Sequence, residues 1–198
     1  MPRRAAALRD DSRSLRDHLI ATAARLIADN GTAGLTVRAI ARAAEVADGV
    51  LYNHFRDKEE LLALALVAHV RSVEAGLPEL PEPGTGDVTA NLRAYLAYGL
   101  ALHRQILPAF AGLIGEPAVL ARFGALQGSQ RNWRDRLADY LRAEQHAKRL
   151  AAGADTTVAT AMLVGVCHET VLSTVLGHAP AEPPRVETVI AVLLNGIG

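Results

Sequence analysis

The chain has 198 residues, half of them apolar, and 21 basic side chains against 21 acidic ones. That apolar share closes a sizeable core, in one large domain or two small ones. The single cysteine, Cys167, excludes an internal disulfide framework and with it the cysteine-rich secreted class. The zero balance hides an asymmetry. Residues 1–56 carry nine arginines against six acids, and the remainder carries twelve basic groups against fifteen acidic ones. A basic front on a mildly acidic body suits a nucleic-acid-binding head joined to a neutral domain. The opening MPRRAAALRDDSRS has no apolar segment of signal-peptide length. The most apolar stretch, near 162–176, is interrupted by His168 and Glu169 and reads as shorter than the ~20 residues of a membrane span. A soluble, cytoplasmic protein without a membrane partner is expected.

Taken in order, the elements read as helices, because apolar residues recur at helical rather than alternating spacing. Residues 1–12 read as a mobile, arginine-bearing arm. A first helix is expected over 14–29, with Leu15, Leu19, Ala23, Leu26 and Ile27 as its inner stripe. Asn30 and Gly31 stop it, since both tolerate the left-handed conformation. Thr36 caps a short helix containing Val37, Ile40 and Ala44. A second short helix follows around 48–54. Asp57 then caps a helix running to about 75 on Leu61, Leu62, Leu64, Ala65 and Val67. The stretch GLPELPEPGTGD, 76–87, is too rich in proline and glycine to be helical. Further helices are expected near 88–104, 105–114, 117–149, 155–177 and 185–196. Pro108 should kink or shorten the second of these. The last has a clean stripe of Val186, Val189, Ile190, Leu193, Leu194 and Ile197.

Two short helices joined by a tight turn and packed on a longer one form a helix-turn-helix. The second buries Leu51 and Phe55 and leaves Asp48, Gly49, Tyr52 and Asn53 for a partner. That division suits a helix laid in the major groove. The stretch Thr36–Leu61 resembles the DNA-binding signature of the TetR family of transcriptional regulators. The core L-Y-x-H-F-x-x-K-E-x-L is present as Leu51, Tyr52, His54, Phe55, Lys58, Glu59 and Leu61, preceded by Ile40, Ala41 and Ala44. The resemblance implies an all-α fold. A three-helix helix-turn-helix domain over 1–60 would be followed by a helical effector-binding and dimerisation domain over 61–198.

It also implies roles. Thr36 matches a hydroxyl that donates to phosphate. Arg38 matches a side chain that reaches a base edge, and arginine on guanine is the commonest such contact. Tyr52 and His54 match backbone contacts, and Lys58 a phosphate contact at a helix N-terminus. Asn53 occupies a variable position facing phosphate or base. The alternative for Tyr52 is a rim residue of the small domain, and a histidine such as His54, taken alone, is more often structural than a ligand. Arg3, Arg4, Arg9 and Arg13 are a solvated tail or a minor-groove arm. The chain departs from the family at Glu45-Val46-Ala47, where Gly, Val and then Ser or Thr are usual. Ala47 can neither cap the second short helix nor donate to a phosphate, and a missing cap costs ~1 kcal/mol. Asp48 is expected to favour that helix's first turn and to face a base, accepting from cytosine N4 or adenine N6. Gly49, costly within a helix, is expected to allow close backbone approach to DNA.

One such unit reads few base pairs, so a homodimer on a palindromic operator of double-stranded DNA is implied. The helix over 155–177 is apolar on nearly all sides, which fits core on one face and a partner subunit on another. The family's effector pocket would draw on Tyr95, Leu96, His103, Phe110, Phe123, Trp133, Met162 and His168, although any one such residue is more often plain core than a ligand contact. Aromatics are scarce and inner-helix carboxylates few, Glu116 and Glu169 being the main ones. A neutral or acyl-type small-molecule effector is therefore expected rather than a cation. No cofactor or metal is called for, because no cysteine cluster or i, i+4 histidine pair is present. Nor is an enzyme, because Cys167 and His168 point about 100° apart on a helix and no glycine-rich phosphate loop exists. The function expected is a repressor released from its operator by that effector. The alternatives are a TetR-like activator or a broad DNA-binding protein without a small-molecule inducer.

Overall fold

The computed structural model describes residues 2–128, 131–178 and 182–195, with side chains from Arg13 onward. The described residues form nine helices and no strand: α1 (Pro2–Asn30), α2 (Val37–Ala43), α3 (Asp48–His54), α4 (Lys58–Ala75), α5 (Val88–Ala111), α6 (Pro117–Gln127), α7 (Trp133–His146), α8 (Thr156–Val175) and α9 (Val186–Asn195). The all-helical class follows from the spacing of apolar residues. Three boundaries differ from expectation. The supposed arm is the first three turns of α1, because Ala5, Ala6, Ala7 and Leu8 are strong helix formers. The side chains of Arg3, Arg4 and Arg9 lie outside the described residues. The helices expected over 88–104 and 105–114 are one, and Pro108 is tolerated three residues before its end. The single helix expected over 117–149 is two. Gly128 ends α6, and Asn132 starts α7 by accepting from the Asp135 amide at 3.0 Å.

Two compact units divide the chain. The first comprises residues 1–75 and 108–129, the second 76–107 and 130–198. This cut does not fall at the boundary expected at 60, since α4 packs on α1 and α6 on α4. Their reason is apolar: Leu61, Leu62 and Leu66 of α4 and Val119 of α6 share one core with Leu19, Ala23 and Ile27 of α1, Ile40 of α2 and Leu51 of α3. Gly31 ends α1 as foreseen, at φ +70 with its amide on the Ile27 carbonyl. The Thr32 hydroxyl donates 2.6 Å to the Ala109 carbonyl near the end of α5.

In the second unit α5 and α7 meet through aromatic side chains. Trp133 is buried, donates from Nε1 to the Tyr95 carbonyl at 3.2 Å, and lies directly against Gly99, where any Cβ would overlap its ring. α8 packs on α7 with Thr160, Leu163, Cys167 and Val171 inward. Its other sides are open: Val158, Met162 and Val175 are about half exposed. At 20 residues and a mean hydropathy of 1.5, α8 is long and apolar enough to cross a bilayer, contrary to the reading of a shorter stretch. On α9, Ile190 is buried while Val192 and Leu194 stand out in solvent. Ile197 lies outside the described residues.

Candidate nucleic-acid interface

The first unit builds its outer surface by capping and by local ion pairs. Thr36 caps α2, its hydroxyl accepting from the Ala39 amide at 3.1 Å. The α2–α3 turn passes through Glu45 at φ +58. This is the left-handed region, which costs a residue with a Cβ roughly 1 kcal/mol. Ala47 precedes α3 with no side-chain cap, as its methyl dictates. α3 therefore depends on its neighbours. Leu51 and the following Phe55 anchor it in the core. Arg16 of α1 holds its far end, donating to the His54 carbonyl (3.4 Å) and stacking over Phe55 at 5.0 Å.

With α3 held by one face, the other is left in solvent. Thr36, Arg38, Asp48, Gly49, Tyr52 and Asn53 are all exposed, and Tyr52 is 64% so. His54 and Lys58 are half-buried at the turn into α4. The exposed pair Arg38 and Asp48 is joined directly: Arg38 Nε donates to Asp48 Oδ2 at 3.1 Å, linking α2 to α3. Asp48 was expected to face a base. In the structure it has a cationic partner ten residues earlier.

The turn that carries Lys58 is fixed from several sides. Asp57 caps α4, accepting from the Glu60 amide at 2.8 Å. Arg122 of α6 clamps the same carboxylate with both terminal nitrogens, Nη2 lying 2.7 Å from Oδ2. The Arg122 guanidinium and the Glu60 amide hold Asp57 down to a pKa of about 2. Glu60 accepts from the Arg56 amide and from Arg16 Nη2, and the Arg56 amide bond is the main reason its carboxyl is lowered. Arg16 and Arg122 were missed in the sequence. Each lies on a different helix from its partner, and no local spacing announces them.

The residues expected to line an effector pocket fall in three places. In the second unit, Tyr95, His103, Trp133 and His168 come together. His103 contacts Trp133 and His168 edge-on at 5.2 and 4.9 Å between ring centroids. Its Nδ1 lies 2.6 Å from the Gly99 carbonyl. A carbonyl only accepts, so the proton sits on Nδ1. Burial lowers the pKa of His103 and His168. Phe110 and Phe123 belong to the first unit, as an edge-on pair at 4.9 Å. Met162 is on the open side of α8, nearly half exposed, because the buried stripe of that helix runs through Leu163 and Cys167. The carboxylates picked as inner ones are not: Glu116 is half-buried and Glu169 exposed. The fully buried carboxylate is Glu144 of α7. It accepts from the Gly84 amide at 2.9 Å, and Arg149 Nε lies 3.1 Å from its other oxygen, off the line of a hydrogen bond. A cleft of about 350 Å³ also opens within this unit between residues 80–83 and Tyr95, Arg136 and Tyr140. Cys167 is fully buried, and burial pushes its thiol up to about 12, which leaves it inert. Among the described residues no cluster of three metal-ligating side chains occurs.

Residues 19–65 match the family of bacterial regulatory proteins of tetR type. The chain is 32% identical over 80 residues to the HTH-type transcriptional repressor NemR of Escherichia coli, a match covering 40% of each chain. Over 49 residues it is 45% identical to the HTH-type transcriptional repressor KstR2 of Mycolicibacterium smegmatis, covering 25% of this chain and 24% of that one. It thus spans less than half the length of these curated relatives. Among solved structures it is similar to the flavonoid-responsive regulator FrrA, 27% identical over 91% of this chain and 93% of that one, with a TM-score of 0.65. It shares its fold with FadR of Bacillus subtilis, solved in complex with stearoyl-CoA: 20% identity, 91% and 98% coverage, TM-score 0.62.

Proposed function

The chain belongs to the TetR family of bacterial regulatory proteins by its N-terminal domain, and from that premise we propose that it is a sequence-specific DNA-binding repressor, acting as a homodimer and released from its operator by a small molecule. The observation that carries the DNA half is the division of α3. Leu51 is buried and Tyr52, its neighbour, is 64% exposed, with Gly49 and Asn53 exposed beside it. A seven-residue helix is too short to stand alone. Held by its buried face, it offers the open one to a groove. Thr36, Tyr52, Asn53, His54 and Lys58 are assigned to the DNA backbone or base edges, Gly49 to close approach, and Arg38 to a base. A cytoplasmic location follows from a chromosomal operator.

The dimer reading rests on the open sides of α8 and α9. Val158, Met162, Val175, Leu176, Val192 and Leu194 form an exposed apolar set unusual for a lone subunit. A second copy is the occupant proposed, as a twofold mate supplies the second half-site reader. The effector half rests on the polar and aromatic groups inside the second unit: Tyr95, His103, Trp133 and His168. Phe110, Phe123 and Met162 are less favoured. Glu144, committed to Gly84 and Arg149, is not free to pair with a cation. A neutral or acyl-type ligand is accordingly preferred, in keeping with the flavonoid and acyl-CoA named for FrrA and FadR. Each tenfold loss of operator affinity requires ~1.4 kcal/mol of differential ligand binding between the two states.

The test is DNA binding by the full chain, measured by fluorescence anisotropy against DNA flanking its own gene and against random duplex. A preference of about a thousandfold at physiological salt, with two subunits per site in sedimentation, is expected. Equal affinity for random DNA, or a monomer in solution, would falsify the reading.

A further inference from the structure

The ion pair across the α2–α3 turn has a direction. Arg38 Nε donates to Asp48 Oδ2 at 3.1 Å, and both side chains are largely in solvent, 80% and 50% exposed. An exposed pair of this kind does little for stability, because water screens it and two side chains lose freedom. Its effect on the guanidinium is geometric. The group is planar, with five N–H donors in a fixed fork. Fixing Nε on one edge removes rotation about the end of the side chain. The two terminal nitrogens, at the far end of the plane, are left as a parallel pair. That pair matches the O6 and N7 acceptors of guanine.

Asp48 also has a cost to offset. A carboxylate on the surface facing DNA repels phosphates and weakens binding to every sequence alike. A pure backbone binder would be better without it. Its charge is useful where it is spent on a neighbouring cation whose alignment matters. We propose that Asp48 is a positioning residue that aims Arg38 at a guanine in each half-site, setting specificity without itself contacting a base. This deepens the DNA-reading function proposed above and rests on it.

The experiment is selection of bound duplexes from a random library by the full-length protein, sequenced for the wild type, Arg38→Ala, Asp48→Ala, Asp48→Asn and the Arg38→Ala/Asp48→Ala double variant. The wild type should enrich guanine at one position per half-site, and Arg38→Ala should erase that preference. Asp48→Ala should weaken the same preference about fivefold, although it removes a negative charge. Asp48→Asn, which keeps an acceptor, should retain part of it. In the double variant the loss of Asp48 should change nothing further at that position. Two results overturn the proposal: an unaltered guanine preference in Asp48→Ala, whatever happens to its overall affinity, or an altered preference at a different base pair. The second would mean that Asp48 reads its own base. A wild type that enriches no sequence sinks the DNA-reading function as well, and so differs from a wild type that enriches while Asp48→Ala matches it.

Discussion

In the first unit, most side chains assigned to DNA stand in solvent on a mainly aliphatic interior where, among the described residues, Thr22, Thr32 and His69 are buried but no carboxylate is. In the second, a charged group is inside as well: Glu144 is fully buried, and Tyr140, His103 and Asn91 are nearly so. On the proposed function, the difference tracks what each unit would bind. A duplex is large and external, so its reader needs only a rigid platform with the polar groups outward. A small molecule has to be enclosed, and enclosure puts polar groups where each needs a partner. Buried polar groups carry the larger energetic risk, since one left without its partner costs far more than the bond contributes. The outer surface of the head should tolerate substitution for stability while losing DNA recognition. The interior of the second unit should behave the opposite way.

The largest expected effect lies in that interior. Glu144 is held by the Gly84 amide and by Arg149, which also donates to the carbonyls of Thr85 and Gly86. Arg149→Leu leaves a buried carboxylate without its cation and should lower stability by about 3 kcal/mol in urea unfolding. Adding Glu144→Gln should restore part of that loss, since a neutral amide no longer needs the cation. A loss below about 1 kcal/mol would show that water reaches the carboxylate and that the contrast between the two interiors is overstated.

A smaller, opposite change belongs to the head. Glu45 holds the left-handed turn between α2 and α3 at φ +58. Glu45→Gly should raise stability by about 0.5–1 kcal/mol, the relief of the side-chain clash less the greater freedom of glycine in the unfolded chain. A neutral or negative result would mean that the Glu45 side chain contributes something that offsets the strain.

The pH dependence separates the two units by window. His103 has its pKa lowered, first by burial, from 6.5. The unfolded chain takes up its proton first as pH falls, so the stability tied to the neutral ring is full above 6.5 and declines below it. Asp57 is lowered from 3.8 to about 2. Its contribution is full above about 4 and disappears only as pH falls toward 2. Melting curves should therefore soften between pH 7 and 5 in the wild type and less so in His103→Phe. Asp57→Asn should lower the melting temperature by a constant amount above pH 4 and flatten the limb below it. A His103→Phe profile parallel to the wild type through pH 6 would remove His103 from the acid-sensitive interior.

The head was legible in the sequence because its signals are local. Thr36 as a cap, Asn30 and Gly31 as a stop, Asp57 as the next cap, and Leu51 with Phe55 as anchors each depend on residues a few positions apart, the range over which helix geometry repeats. The departure at 45–47 was legible for the same reason, and the turn at Glu45 and the uncapped Ala47 stand where it lies. The second unit was less so. Glu144 sits in a run of charged residues that reads as a solvated face, and only the return of residues 84–86 and Arg149 over it makes it interior. Met162 was chosen by its apolarity, yet a helix apolar on all sides does not say which face is covered.

Local chemistry alone determined the all-helical class, the helix-turn-helix and the outward face of α3, because capping, period and turn conformation act within a few residues. Tertiary structure decided what those cannot reach: the reach of Arg16 and Arg122 across helices, the pairing of Arg38 with Asp48, and the burial of Glu144. Each depends on where a distant segment comes to rest. That position follows from the packing of the whole core, which no stretch of chain contains by itself.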